Sequence, residues 1–219
     1  MAVPYAVLLA TQTDAGLKYE NQGVSLLRHP ICAWLRLRPA LGQHTREEHA
    51  TFQRWAAGRT SLVEIGVAEG VSALALRERM KPNARLHLID PFHLSRAPAF
   101  NFLRRAAQRV VNSCTRGEVV WIEKFSHQAV QTWKDPIDLL LIDGDHAELA
   151  VERDWNDWSG FVKPGGVVIF HDARLFEGGW TSADYGPVKF VDRVFRGGGA
   201  AGWAIAGEVH SVVVVEKSR

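Results

Sequence analysis

Short apolar runs rich in β-branched residues alternate, along most of this chain, with segments in which apolar residues recur at helical spacing. Strands are expected at residues 61–65, 85–90, 119–122, 137–142 and 167–170. Because successive parallel strands need a long connection, usually a helix, this alternation predicts an α/β fold around a parallel sheet. Two last strand-like runs, at 203–209 and 211–216, predict an antiparallel hairpin at the end of the chain.

The first fifty residues do not follow this rhythm, since prolines interrupt their scattered apolar residues. Residues 1–44 are therefore expected to form an irregular or helical N-terminal appendage, and residues 45–219 the main domain. A capping-box pattern, with Thr45 as the N-cap and Glu48 at the third helical position, predicts that a helix begins at this boundary. The appendage is a candidate wall of the substrate site and a candidate contact with a second copy of the chain.

The charge balance excludes several kinds of partner. Lys and Arg number 26 against 24 Asp and Glu, a net charge of +2, and the pI is about 8.6. A nucleic-acid partner usually needs a clustered basic face, and none is visible in the sequence. Cys32 and Cys114 lie at no metal-binding or redox spacing, which favours a cytoplasmic location. No apolar run approaches the roughly 20 residues that cross a bilayer, so no membrane association is expected.

The first strand of the alternating region runs into a turn with the spacing Glu64-x-Gly66-x-x-x-Gly70. Glycines after a strand let a ligand approach the backbone closely. The spacing differs from the Gly-x-Gly-x-x-Gly turn that holds a dinucleotide pyrophosphate, and Glu64 and Glu69 add carboxylates beside the ligand. Carboxylates suit a cation, so the turn favours a ligand that carries an ammonium or a sulfonium group.

A further acid, Asp90, ends the second strand, twenty residues beyond Gly70. An acid at this place can accept hydrogen bonds from both hydroxyls of an adenosine ribose. The alternative is that Asp90 only forms a turn ahead of Pro91. Taken together with the glycine turn, Asp90 favours an adenosine-containing ligand with a cationic end.

Three stretches carry a resemblance to a known family: Val-Glu-Ile-Gly-Val-Ala-Glu-Gly-Val-Ser-Ala at 63–73, Leu-Ile-Asp-Pro at 88–91 and Leu-Ile-Asp-Gly-Asp-His at 141–146. They resemble the class I S-adenosylmethionine-dependent methyltransferases, and most of all a bacterial O-methyltransferase-like group that the later Asp154, Lys163-Pro164-Gly165-Gly166 and His171-Asp172 also fit. The resemblance covers about residues 60–195. It implies a Rossmann-like, doubly wound seven-stranded sheet, mostly parallel with a C-terminal antiparallel hairpin, and S-adenosylmethionine as the cofactor.

The same resemblance implies which residues bind that cofactor. They are Glu64, Gly66, Gly70 and Ser72 for the methionine part, Asp90 for the ribose, Ser126 for the adenine, and Asp143 beside the bound cofactor.

Acids and histidines follow the fourth and fifth strands, at the sheet edge where ligands of open α/β folds bind. They are Asp143, Asp145 and His146 after one strand, and His171 and Asp172 after the other. Like charges this close repel unless a cation or a proton joins them, so the cluster is a candidate metal and proton-transfer site. The structural alternatives are that Asp145 caps a helix and that His171-Asp172 forms a hydrogen-bonded turn.

Similarity to metal-dependent enzymes such as catechol O-methyltransferase implies a divalent ion held by Asp143, His171 and Asp172, with Asp143 and His146 as catalytic residues. The ion would lower the pKa of the acceptor oxygen, and His146 could take the proton near neutral pH. His171 departs from the family pattern, because imidazole favours manganese or a softer ion over magnesium. The alternatives are that His171 is a second base or that no metal binds.

The sequence is therefore interpreted as that of an S-adenosylmethionine-dependent methyltransferase that methylates a hydroxyl of a small molecule, with or without a divalent metal. One alternative is a metal-independent N- or C-methyltransferase of the same fold. Another is a protein that binds S-adenosylmethionine without catalysis. A nicotinamide-dependent oxidoreductase is disfavoured by the glycine spacing and by the acids beside it.

Overall fold

The computed structural model describes residues 7–10, 28–92, 101–198 and 200–219, with the backbone alone at 7–10 and 28–29. The strands are β1 (Val7–Ala10), β2 (Ala40–Thr45), β3 (Ser61–Ile65), β4 (Arg85–Ile89), β5 (Glu118–Ile122), β6 (Ile137–Ile142), β7 (Val162–Phe170), β8 (Trp203–Val209) and β9 (Val212–Lys217). The α-helices are α1 (Arg28–Trp34), α2 (Arg46–Ala56), α3 (Val71–Arg79), α4 (Phe102–Val111), α5 (Ser126–Ala129), α6 (Glu148–Trp158) and α7 (Gly186–Val191).

Seven of these strands form one sheet in the order β5-β4-β3-β6-β7-β9-β8. The first five in that order run parallel, and β9 pairs antiparallel with both β7 and β8. This arrangement confirms the predicted doubly wound sheet and its C-terminal hairpin. The strand order reverses between β3 and β6, and the carboxyl ends of strands at such a point form a crevice that commonly holds a ligand.

Apolar layers cover both faces of the sheet. Alternate residues of β6 point to opposite faces, so Leu139 and Leu141 pack with the layer of α2, α3 and α4, whereas Leu140 and Ile142 pack with the layer of α6 and α7. The sole polar residue of β6, Asp138, accepts hydrogen bonds from the amides of Thr60 and Ser61 at 2.9 and 3.0 Å. Burial on both faces explains why this strand is apolar almost throughout.

The boundary between the predicted appendage and main domain falls inside β2, which pairs in parallel with β1. The predicted capping box is present, since the Thr45 side chain accepts from the Glu48 amide and the Glu48 side chain accepts from the Thr45 amide. The appendage as a separate unit stays a prediction, because residues 1–6 and 11–27 lie outside the described residues. Within the described part of the chain, no helix is long and apolar enough to cross a membrane.

Residues 163–166 lie within the span of β7 but do not pair with β6. The register passes from Ile137 opposite Val162 to Leu139 opposite Val167, so these residues, with Gly165 at a φ of +73°, bulge out between two paired parts of the strand.

Candidate functional site

A cavity of about 600 Å³ opens at the carboxyl edge of β3, β4 and β6. Its volume falls in the range of roughly 300–1,000 Å³ that small-molecule sites occupy. The predicted site residues that line it are Gly66, Ser72, Asp90, Ser126, Asp143 and His146. Glu64 and Gly70 are not among the lining residues, and β2 supplies a further wall with residues 41–44.

The glycine turn brings two strands into close contact. Gly66 has a φ of +85°, and a Cβ atom there would lie 2.0 Å from the carbonyl oxygen of Asp143. Gly70 has a φ of +81° and forms the N-cap of α3. These positive φ values favour glycine. Because Gly66 has no side chain, its backbone is directly accessible from the cavity.

The two glutamates of the turn are less available to a ligand than the sequence suggested. Glu64 is fully buried, and it accepts a hydrogen bond from the Ser72 hydroxyl at 2.5 Å. Burial raises the pKa of Glu64 well above its usual range. Glu69 accepts from the Leu41 amide at 2.8 Å and so fastens β2 to the turn.

Asp90 is bonded to backbone on both carboxylate oxygens. Its Oδ2 accepts from the amides of Val67 and Ala68 at 2.9 and 3.2 Å, and its Oδ1 accepts from the Phe92 amide at 2.6 Å. Each carboxylate oxygen has two lone pairs, so Oδ1 retains room for one more donor. Asp90 therefore holds the glycine turn in place and can still accept a hydrogen bond from a ligand in the cavity.

At the other end of the cavity, Ser126 donates a short hydrogen bond to Asp154 Oδ1. Asp154 is buried, and burial raises its pKa to about 6. Asp154, which the sequence analysis names only as part of the family pattern, lines the cavity together with Ser126.

His171 lies fully enclosed among three carboxylates. Its Nδ1 is 3.0 Å from Asp143 Oδ1 and 3.5 Å from Asp172 Oδ1, and its Nε2 is 3.8 Å from Glu48 Oε2. Burial alone would lower the pKa of His171, but the charges of Asp143 and Asp172 outweigh burial and raise it well above its usual range. The contacts with His171 therefore offset the repulsion between these acids.

His146 is the accessible histidine of the cluster, with 40% of its side chain exposed. Its Nε2 lies 3.1 Å from Asp172 Oδ2, and Asp172 also accepts from the Trp180 indole at 2.8 Å. This contact with Asp172 raises the pKa of His146 above its ordinary value of 6.5. Asp172 has a φ of +53°, a strained conformation of the kind that clusters at functional sites. The pair leaves His146 Nδ1 as the nitrogen that can accept a proton.

The metal ligands predicted from the sequence are only partly brought together. Among the described residues, Asp143, His146 and His171 offer ligand atoms within 4.8 Å of one another. Asp172 is not in this group; its carboxylate accepts from the Trp180 indole and contacts His146. Asp145 accepts from the Ala147 amide at 2.9 Å just ahead of α6. It does not cap that helix, because Ala147 is the N-cap and no side chain bonds to the first helical amides.

Two contributors to the site were missed in the sequence. Glu48 was recognised only as a helix cap, yet its Oε1 also accepts from the Ser211 amide at 2.8 Å and hydroxyl at 2.6 Å. His44 lines the cavity from β2 and lies edge-on to His171, with ring centres 6.4 Å apart. No local motif marks either role, because both depend on contacts between segments far apart in the chain.

Comparison with solved structures finds the same fold. Rv0187 from MTB, solved with its cofactor bound, aligns over 96% of this chain and 99% of its own with a TM-score of 0.63 and 16% identity. The O-methyltransferase from Bacillus cereus, solved with S-adenosylhomocysteine (SAH), aligns over 90% and 84% with a TM-score of 0.51 and 15% identity. A protein named as an rRNA methylase, from Clostridium thermocellum, aligns over 78% and 95% with a TM-score of 0.54 and 14% identity.

A family model described as "Methyltransferase domain" matches residues 63–173, just over half of the chain, from β3 to the residue that follows Asp172. The match spans the glycine turn, Asp90 and the whole acid and histidine cluster. The chain therefore belongs to this methyltransferase family and is a class I S-adenosylmethionine-dependent methyltransferase.

Proposed function

We propose that this methyltransferase methylates a hydroxyl oxygen of a small molecule, with His146 as the proton acceptor. The observation that carries the proposal is the pair of His146 and Asp172 at the cavity wall, 3.1 Å apart. A hydroxyl must lose its proton as it is methylated, and an imidazole with a pKa near neutrality is suited to take that proton. An amine acceptor that is already neutral needs no such base before it reacts.

The cavity fits S-adenosylmethionine. The bare turn at Gly66 and the Ser72 hydroxyl suit the methionine part, the free lone pair of Asp90 suits the ribose, and Ser126 with Asp154 suits the adenine. When bound, the cofactor supplies an electrophilic methyl group on a sulfonium, which passes to the acceptor in one displacement as the carbon–sulfur bond breaks and its electron pair stays on sulfur. The remaining work of the protein is to orient the acceptor, to remove its proton and to exclude water.

His146 performs the proton transfer in this account. Because Asp172 accepts from Nε2–H, the lone pair of His146 is on Nδ1, and the acceptor proton moves to that atom. Asp172 then stabilises the imidazolium that forms. Asp143 is held by His171 at 3.0 Å and faces the cavity between the turn and His146, where its charge favours the cationic cofactor.

A divalent ion held by Asp143, His146 and His171 is the alternative to proton transfer by His146, because an imidazole lone pair that binds an ion cannot also take a proton. Two imidazoles and one carboxylate do not suit magnesium, which prefers oxygen ligands. They suit manganese, iron, nickel or zinc. Such an ion would polarise the acceptor hydroxyl and lower its pKa.

The N-terminal segment up to residue 44 is proposed to form the acceptor side of the site. Residues 41–44 of β2 line the cavity, and the hydrogen bond from Leu41 to Glu69 fastens them to the glycine turn.

The proposed activity can be tested by transfer of a labelled methyl group from S-adenosylmethionine to a panel of phenols, alcohols, amines and RNA, each with and without a chelator. We expect label on hydroxyl compounds only. Label on amines or on RNA would contradict the proposal that the acceptor is a small-molecule hydroxyl. If the protein binds SAH but transfers label to none of these compounds, the result would favour a non-catalytic binding protein. Loss of transfer with chelator, restored by manganese or zinc better than by magnesium, is expected if the ion binds.

The Asp90→Ala variant is expected to bind SAH more weakly by about 1–3 kcal/mol, since a charge-assisted hydrogen bond and the brace of the glycine turn are both lost. Isothermal titration calorimetry measures the change. Asp184→Ala, which removes a carboxylate that is 94% exposed, is the control and should bind like the parent. An unchanged affinity in Asp90→Ala would remove Asp90 from the binding site.

A further inference from the structure

His44 is a buried imidazole of β2 that the proposed chemistry does not use. Its residue is 3% exposed, and its ring packs edge-on to Phe52, with the ring centres 5.1 Å apart. It precedes the residues that the family model matches, so nothing in that match assigns it a role. Yet it lines the same cavity as His146 and lies beside His171.

A chain of hydrogen bonds determines which nitrogen of His44 carries the proton. The Glu78 carboxylate can only accept, so the atom of Gln53 that lies 2.6 Å from it must be the amide nitrogen Nε2 and not the amide oxygen. The same nitrogen is 3.5 Å from Nε2 of His49, which therefore accepts and carries no proton. The proton of His49 is then on Nδ1, 3.1 Å from Nε2 of His44.

His49 thus donates to His44, and the proton of His44 is on Nδ1. That nitrogen has no hydrogen-bond partner among the described residues. Nδ1 is also not among the fully enclosed polar atoms that lack a partner, so it keeps a small accessible area. Since His44 lines the cavity, we infer that this area faces the cavity. A largely buried N–H without an acceptor is costly, and a ligand oxygen at this place would relieve the cost.

The position of His44 points to the methyl acceptor rather than to the adenosine. Its neighbour His171 holds Asp143 and lies within 3.5 Å of Asp172, the partner of His146. The adenine end, at Ser126 and Asp154, belongs to the other side of the sheet crevice, after β5 and on α6.

We propose that Nδ1–H of His44 donates a hydrogen bond to an oxygen of the acceptor molecule and so positions that oxygen between His44 and His146. This inference rests on the proposed function and deepens it. A hydroxyl oxygen has two lone pairs, so one can accept from His44 while the other attacks the methyl group and the hydroxyl proton moves to His146 Nδ1. A protonated amine offers no lone pair to this donor, and His44 therefore selects against it.

The tautomer is tested first, by long-range ¹H–¹⁵N NMR of the imidazoles in the unaltered protein with SAH bound. We expect the proton of His44 on Nδ1. A proton on Nε2 or on both nitrogens would overturn the proposal, and this arm needs no variant to fold.

The contact is tested with 4-nitrocatechol as the probe, titrated by its absorbance into the SAH complex of the parent, His44→Leu and His44→Asn. The Asn amide can replace a donor at Nδ1, whereas Leu cannot. We expect about tenfold weaker probe binding in His44→Leu, less than about threefold weakening in His44→Asn, and equal SAH affinity in all three proteins.

Equal probe affinity in His44→Leu and the parent would overturn the proposal, as would failure of the parent to bind the probe. Weaker SAH binding in His44→Leu would assign His44 to the cofactor instead, and would overturn it too. None of these results touches the role of His146, which the turnover of His146 variants tests separately.

Discussion

Replacing His146 with Gln is expected to lower the turnover number by about 10²–10⁴-fold, the usual contribution of a general base. The amide keeps a hydrogen bond to Asp172 but cannot take a proton. SAH affinity should stay within about threefold, because His146 acts on the acceptor rather than on the cofactor. Turnover is measured under saturating S-adenosylmethionine, and affinity by calorimetry.

The control is His210→Gln, which changes a histidine that is bonded to Thr45 and does not line the cavity. Its turnover should match that of the parent. Equal turnover in His146→Gln and the parent would make His146 a structural residue.

The pH profile gives a second reading of the same role. His146 must be neutral to accept a proton, and contact with Asp172 raises its pKa above 6.5. Turnover should therefore fall as the pH drops through that raised pKa. Asp172→Asn removes the charge that raises it, so the acid limb of the profile should move to lower pH. A limb that stays in place in Asp172→Asn would argue against His146 as the titrating base.

Replacing Glu48 with Gln is expected to lower the free energy of unfolding by about 3 kcal/mol, the cost of breaking a buried charged network. Glu48 is fully buried and accepts from the Thr45 amide, the Ser211 amide and the Ser211 hydroxyl. In either orientation of the Gln amide, its NH₂ group would face the N–H of Thr45 or of Ser211, so one buried donor would lose its acceptor. Urea unfolding measures the change.

Glu47→Gln is the matched control, because Glu47 precedes Glu48 in the chain and its side chain is 61% exposed. Its loss of charge should change the free energy of unfolding by less than about 0.5 kcal/mol. Burial would raise the pKa of Glu48, but the interaction with the nearby His171 and the hydrogen bonds from Ser211 and Thr45 outweigh burial and lower the pKa from 4.5 to about 2. The stability that ionised Glu48 contributes is thus complete above pH 4.5 and is lost as the pH falls toward 2. Equal unfolding midpoints for parent and Glu48→Gln at pH 7 would contradict this role.

The sheet could be predicted because its strands are read from local patterns. Continuous apolar runs such as 137–142 mark strands buried on both faces, and glycines 66 and 70 mark the sharp turn beside them. The order of the strands and the place of the cavity then follow from the general rules for α/β folds.

The acid and histidine cluster was predicted in composition but not in its connections. The sequence predicts His171 and Asp172 at the end of one strand. Only the fold shows that Asp172 contacts His146 and that His171 contacts Asp143. Glu48 and His44 lie about 120 residues from His171, and no spacing rule links them. The predicted self-association of the chain and the separate appendage stay predictions.

The central claim is that the crevice at the carboxyl edge of β3, β4 and β6 holds the S-adenosyl nucleoside. A crystal structure of the chain with SAH tests this claim most directly. We predict a ribose hydroxyl within hydrogen-bond distance of Asp90 Oδ1 and the amino-acid tail against Gly66 and Ser72. Density for the nucleoside in any other groove, with this crevice filled by side chains, would contradict the account.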